Sequence, residues 1–182
     1  RGLGDVYKRQ KLGEEASMDI TGLIGQYAHG NEPSHHTTYM YAYSGEHYKI
    51  ADKVRYINNE LYTDQPDGLS GNEDCGQMSA WYILSSMGFY PVNPSNGAYV
   101  FGSPLFDEVV LDIPGQKQFK ISAKNNSDKN IYIQSVSLNG KEHKYSYITH
   151  KEILKGGELE FTMGPKPNKD FGKEKKYRPE SI

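Results

Sequence analysis

"CGQMSAWYILSSMG", residues 75 to 88, decides what kind of fold this chain has. Read at helical period it is apolar almost all round, with Met78, Ala80, Trp81, Ile83, Leu84 and Met87 covering every side. A helix without a polar face belongs inside a larger helical assembly rather than on the surface of a small domain. Gly88 stops it, and Pro91 and Pro94 prevent its resumption.

Upstream the pattern is still helical. Ile50, Ala51, Val54, Ile57 and Leu61 recur at spacings of three and four, while Asp52, Lys53, Arg55, Asn58 and Asn59 fall elsewhere. Residues 46 to 62 therefore read as an amphipathic helix. Gly45 ends a preceding helical stretch, "SHHTTYMYAY". Downstream of residue 97 the period drops to two. "AYVFGSPLFDEVVLDIP", "QFKISAKN", "NIYIQSVSLNGKEH", "YSYITHKEIL" and "ELEFTMG" are short β-rich runs divided by turn formers, and Asn139-Gly140 is a two-residue hairpin signal. Helices followed by strands indicate an α+β chain: a helical part over 11–96, a β-strand region over 97–166, and a charged polar tail over 167–182 expected to be loose.

The first ten residues read differently. Asp5 to Gln10 back-translate to GAT GTG TAT AAG AGA CAG, the form of a sequencing-transposon adaptor, so residues 1–10 are expected to be translated adaptor and excluded from the fold. The remainder is then expected to be the C-terminal piece of a longer polypeptide.

Composition narrows the function. Hydrophobic residues at 36% and aromatics at 12% suit a folded core, while 21 basic against 23 acidic residues give no electrostatic reason to expect nucleic acid as partner. No apolar run approaches the roughly 20 residues that span a bilayer. The one cysteine, Cys75, forms no internal disulfide and leaves the compartment open.

Chemistry concentrates at two loop-to-helix junctions, "HGNEPSHH" (29–36) and "DGLSGNEDCGQ" (67–77). Each sets acids and amides beside glycines that admit a ligand to the backbone. Asn31, Ser34, Asn72 or Asp74 could serve simply as helix caps, but a cap needs one such residue and each junction has several. His35 and His36 diverge by about 100° on a helix and lack HExxH spacing, which disfavours zinc. The oxygens of Asn31, Glu32, Glu73 and Asp74 suit a hard cation such as Ca²⁺. Trp81 and the Tyr39, Tyr41, Tyr43 set could stack sugar rings or be core aromatics. Glu73 and Asp74 could supply one of the two carboxyl groups that glycoside hydrolysis requires.

"GLIGQYAHGNEPSHH", "DGLSGNEDCGQMSAWYILSSMGFYPV", "GSPLF", "SLNGK" and "MGPKPN", in this order over residues 12 to 172, resemble glycoside hydrolase family 92, the calcium-dependent exo-acting α-mannosidases. The resemblance implies inverting removal of terminal α-linked mannose from glycans, N-glycans among them. It also implies the last helices of an (α/α)₆ barrel followed by antiparallel strands of a small sandwich, and a secreted, periplasmic or cell-surface location in a bacterium. Residue by residue it implies Asp74 as general base with Glu73 beside it, Asn31 and Glu32 in the calcium site, and His35, His36 and Trp81 toward the substrate. Asn72 stands where some members carry a further acid. The general acid lies upstream of this segment, so the segment alone is expected to be inactive. The alternative is a carbohydrate-binding or structural β-domain that binds sugar without cutting it.

Overall fold

The computed structural model describes residues 20–180. The expected adaptor, residues 1–10, lies outside the described residues.

Two short strands, β1 (Leu23–Ile24) and β2 (Tyr27–Ala28), form a hairpin that opens the chain. The stretch expected as one helix at 34–43 is broken instead into 3₁₀ turns at Glu32–Ser34 and Thr37–Tyr39 and one α-turn, α1 (Tyr41–Ser44). Pro33 at the entry and the β-branched pair Thr37-Thr38 give this segment little helical support. Gly45 closes α1 in the left-handed conformation, at φ 80°. The amphipathic helix follows as α2 (Lys49–Glu60), with Ile50, Ala51, Val54 and Ile57 buried. The buried helix is α3 (Gln77–Met87), ended by Gly88 at φ 104°. Trp81 and Met78 are fully buried, but Ile83 is 51% exposed, so among the described residues one side of α3 has no cover.

Strand structure begins before residue 97. β3 (Phe89–Asn93) leaves α3 directly and pairs with β4 (Ala98–Phe101), which pairs in turn with β9 (Tyr147–Thr149). A second sheet has the order β5-β6-β10-β7-β8, made of β5 (Glu108–Ile113), β6 (Lys117–Lys124), β10 (Gly157–Gly164), β7 (Tyr132–Leu138) and β8 (Lys141–Glu142). The expectation of purely antiparallel strands is corrected at its centre, where β10 runs parallel to β6. Chain direction is recovered by a long crossover through β7, β8 and β9, as parallel pairing requires. Asn139-Gly140 makes the predicted β7–β8 hairpin, both residues at positive φ (52° and 74°). Within "YSYITHKEIL" the strand stops at Thr149, because Thr149 and Glu152 form a capping box that starts one helical turn, α4 (His150–Ile153).

The β3–β4 pair couples the layers. Its alternation sends Phe89 and Phe101 into a core shared with Phe119, Ile121, Val136, Leu159 and Phe161 of the five-stranded sheet. Tyr90 and Val100 point the opposite way, into a core with Tyr39, Ile50, Val54, Ile57 and Trp81. For this reason the polar residues of α2 are not all solvated. Arg55 is 5% exposed, donating Nε–H to Ser103 Oγ at 3.0 Å and Nη2–H to Pro104 O and Asn126 Oδ1. Lys53 and Asn58 are buried as well. The stretch read as a loose tail is also docked. Phe171 packs edge-on to His47, Asn168 Nδ2 donates to Gln134 O at 2.8 Å, and Tyr177 O accepts from Ser146 N at 2.9 Å. Its lysines face solvent, while backbone bonds, the Phe171 ring, the Asn168 amide and the Arg178 guanidinium, which donates to Tyr43 O at 3.4 Å, hold it down.

Candidate functional site

The two polar junctions meet around His35. The hairpin turns the chain so that "HGNEPSHH" crosses the start of α3, with Gly30 so close to Ser70 and Thr21 that a Cβ there would lie 2.0 Å from Thr21 Oγ1. His35 is 1% exposed. Its Nε2–H donates to His29 O at 2.8 Å, which leaves Nδ1 as an acceptor, and Gln77 Nε2 donates to it at 3.0 Å. The same Gln77 nitrogen donates to Tyr90 Oη at 3.1 Å. Burial lowers the His35 pKa, and the Glu32 and Asp74 carboxylates both oppose that shift, so acids from separate junctions act on one imidazole.

Asp74 sits in a backbone that ordinary residues avoid. Asp74, Cys75 and Gly76 are consecutive left-handed residues, at φ 54°, 56° and 95°. Asp tolerates this region and Cys does so less readily, which makes the turn strained. It is pinned by Gln77 N donating to Asp74 O and Met78 N to Glu73 O, both at 3.2 Å. Glu73 has a different task. Its carboxylate accepts from Ser79 N at 3.0 Å and Ser79 Oγ at 2.9 Å, satisfying an open amide in the first turn of α3. The cap sought at Asn72 or Asp74 is thus Glu73.

Asn31 and Glu32 are exposed, and Asn31 makes no capping bond. Among the described residues neither side chain makes a hydrogen bond, so their oxygens are open to a ligand. An amide and a carboxylate oxygen fit the chemistry of Ca²⁺, which takes about six to eight oxygens. No group of three or more His, Cys, Asp or Glu side chains among the described residues could hold a metal. These two side chains can therefore supply only part of such a shell.

His36 is exposed beside the site. Trp81 is not available to a sugar: it is 0% exposed, with His29 edge-on at 4.5 Å, Tyr62 stacked at 6.2 Å and its indole N–H donating to His35 O at 3.0 Å. Its expected substrate role is replaced by a packing role; of the tyrosines read as either sugar platforms or core aromatics, Tyr39 is core, buried and donating to Ser85 Oγ at 2.7 Å. A cleft of about 470 Å³ lined by Ile24, Tyr27, Thr38, Met40 and Lys53 adjoins the same segment but includes neither Glu32 nor Asp74.

Three residues were missed by the sequence reading. His29 is fully buried, its Nδ1 2.8 Å from Tyr27 Oη and its Nε2 2.6 Å from Tyr62 Oη. Since Tyr62 donates to Met78 O at 3.0 Å, His29 Nε2 carries the proton and Nδ1 accepts. Gln77 and Tyr90 complete the network. His29 and Gln77 stand inside the two quoted motifs, but nothing in their spacing separates a buried linker from a site-facing group.

Burial makes the fold acid-sensitive at two histidines, one in the site network and one under the C-terminal segment. It pushes His29 down to about 3, with His35 adding to the effect, and it pushes His47, which donates Nε2–H to Phe101 O at 2.9 Å, down to about 4. Both are neutral when folded and take up protons on unfolding below pH ~6.5. The unfolded state then binds more protons, so stability is complete above that pH and falls as pH drops toward the folded values. Denaturant midpoints should show a loss of up to about 1.4 kcal/mol per pH unit for each histidine, and His47→Asn should flatten the slope. A midpoint independent of pH between about 7 and 5 would refute the neutral assignments.

A family GH92 alpha-mannosidase of Bacteroides thetaiotaomicron, in complex with mannoimidazole, is 40% identical, with a TM-score of 0.91, over 99% of this chain and 24% of that one. A family GH92 inverting mannosidase of the same organism is 44% identical, with a TM-score of 0.81, over 86% of this chain and 21% of that one. An uncharacterized secreted glycosidase of Arthroderma benhamiae is 34% identical over 138 residues, 74% of this chain and 18% of that protein. The chain thus spans about a quarter or less of the length of these relatives. Residues 3–165 match the glycosyl hydrolase family 92 catalytic domain, and on that match the chain belongs to glycosyl hydrolase family 92.

Proposed function

We propose that the protein is a calcium-dependent α-mannosidase that removes terminal α-linked mannose from glycans with inversion, N-glycans among its substrates. The observation that carries this reading is the meeting of the two acid-bearing junctions, joined by the 3.0 Å hydrogen bond from Gln77 Nε2 to His35 Nδ1. Membership of family 92 supports the glycosidase chemistry, the mannoimidazole complex of one relative supports mannose, and the inverting mannosidase among the relatives supports inversion. In this reading α2 and α3 belong to an (α/α)₆ barrel and the strands that follow to a small sandwich. The secreted relative supports export; in this reading the destination is the medium, periplasm or surface of a bacterium. No helix among the described residues is long and apolar enough to cross a membrane.

In the proposed mechanism the Asp74 carboxylate takes a proton from the water whose oxygen bonds to the anomeric carbon. The glycosidic oxygen leaves from the opposite face, protonated by an acid outside this chain. Glu73, engaged by Ser79, holds the turn that aims Asp74. Asn31 and Glu32 would hold the cation, His36 would border the sugar, and Ca²⁺ when bound supplies charge that orients mannose hydroxyls and favours ring distortion.

The test uses the whole protein and a terminal α-mannoside. NMR before mutarotation should show β-mannose first, and a calcium chelator should abolish turnover. α-Mannose first would refute inversion, undiminished turnover in excess chelator would refute the calcium assignment, and sugar binding without release would favour a binding module.

A further inference from the structure

His35 was expected to meet substrate, yet it is buried and both ring nitrogens are committed within the protein. The residue it holds is exposed to a greater degree. Gln77 lies at the first position of α3, and its amide nitrogen donates to His35 Nδ1 and to Tyr90 Oη. Because His35 Nε2–H is used on His29 O, Nδ1 can only accept, so the Gln77 amide cannot be turned round without setting its oxygen against that lone pair. Both nitrogen protons are spent and the orientation is fixed. Gln77 is half-buried, and its side-chain oxygen has no hydrogen-bond partner among the described residues. Gln77 belongs to the site: Asp74 O accepts from its backbone N–H, and its amide joins the junction that carries Asp74 to His35 of the junction that carries Glu32.

From this arrangement we infer that Gln77 is a substrate-binding residue whose carboxamide oxygen accepts a hydrogen bond from one hydroxyl of the terminal sugar, with His35 and Tyr90 as positioning residues that fix its direction. The inference rests on the mannosidase reading for the identity of the sugar. It assigns ligand contact to a residue the sequence reading passed over and takes it away from His35. An aimed acceptor with no freedom to reorient selects for a hydroxyl donor, since an analogue lacking that hydroxyl leaves a desolvated oxygen unpaired.

The experiment measures binding of mannose and its mono-deoxy forms to the complete protein in calcium, by calorimetry, alongside turnover of an α-mannoside. Wild type should bind one deoxy sugar roughly tenfold more weakly than mannose through loss of this bond, and Gln77→Ala should bind both alike. His35→Leu should lose the same discrimination without touching the sugar. If it fails to fold, Tyr90→Phe, which removes the other anchor while keeping the ring, should weaken discrimination at the same hydroxyl. Calcium affinity should be unchanged in Gln77→Ala. Retained discrimination in Gln77→Ala, or a fall in its calcium affinity with the deoxy profile intact, overturns the assignment, the second because the oxygen would then be a metal ligand. A wild type that binds no mannose overturns it together with the mannosidase reading. Mannose binding with the expected deoxy profile and no turnover sinks that reading alone.

Discussion

Asp74→Asn in the whole protein is expected to lower kcat by about 10²- to 10⁴-fold, the usual worth of a positioned general base. The size of the effect depends on the substitution sparing everything else, and the local structure says that it does. Asp74 occupies a left-handed conformation at φ 54°, which Asn adopts at least as readily as Asp. The bond that pins the turn is accepted by the Asp74 backbone carbonyl from Gln77 N, so it survives the change. What disappears is a negative charge near His35 and the ability to take a proton. Glu73→Gln provides the contrast. Its carboxylate is occupied by the amide and hydroxyl of Ser79, so the neutral amide should loosen the start of α3 and affect stability more than turnover. Steady-state kinetics of both variants on one α-mannoside, with unfolding midpoints, checks the assignment. If Glu73→Gln loses as much kcat as Asp74→Asn with its midpoint unchanged, the base has been placed on the wrong acid.

The two polar junctions stood out in the sequence because each holds more polar side chains than capping needs. The local backbone that brings them together did not, since neither a 3₁₀ segment nor a strained three-residue turn has a periodic signature. Fold follows a similar division. Ile50, Val54 and Ile57 declared their face through spacing, since burial on one side imposes a 3.6-residue period. Arg55 did not, because α2 also meets the β region, where Ser103, Pro104 and Asn126 take up the guanidinium. Pro91 hid β3, for it reads as the end of a helix while actually lying in a strand paired through its neighbours Phe89 and Tyr90. The parallel β6–β10 pairing joins segments separated by three other strands, and local patterning carries no record of such a partner.

Trp81→Ala should cost about 3–5 kcal/mol in unfolding free energy, the range for removing a large aromatic from a closed core. The indole is 0% exposed and contacts His29, His35, Tyr39, Tyr62 and Tyr90, so the void would open beneath the site itself. His35 O would also lose its 3.0 Å bond from the indole N–H and remain desolvated, adding roughly 1–3 kcal/mol unless water enters. Trp81→Phe separates the two contributions, since it retains most of the apolar contact and removes the donor, and its cost should fall below that of alanine. Denaturant midpoints of the two variants give the stability difference, and KM on an α-mannoside tells packing from sugar contact. A packing residue shifts the midpoint steeply, and the folded Trp81→Phe protein keeps KM near the wild-type value. Were Trp81 a sugar platform, Trp81→Phe would leave the midpoint in place and raise KM, and the buried position assigned to the ring would be wrong.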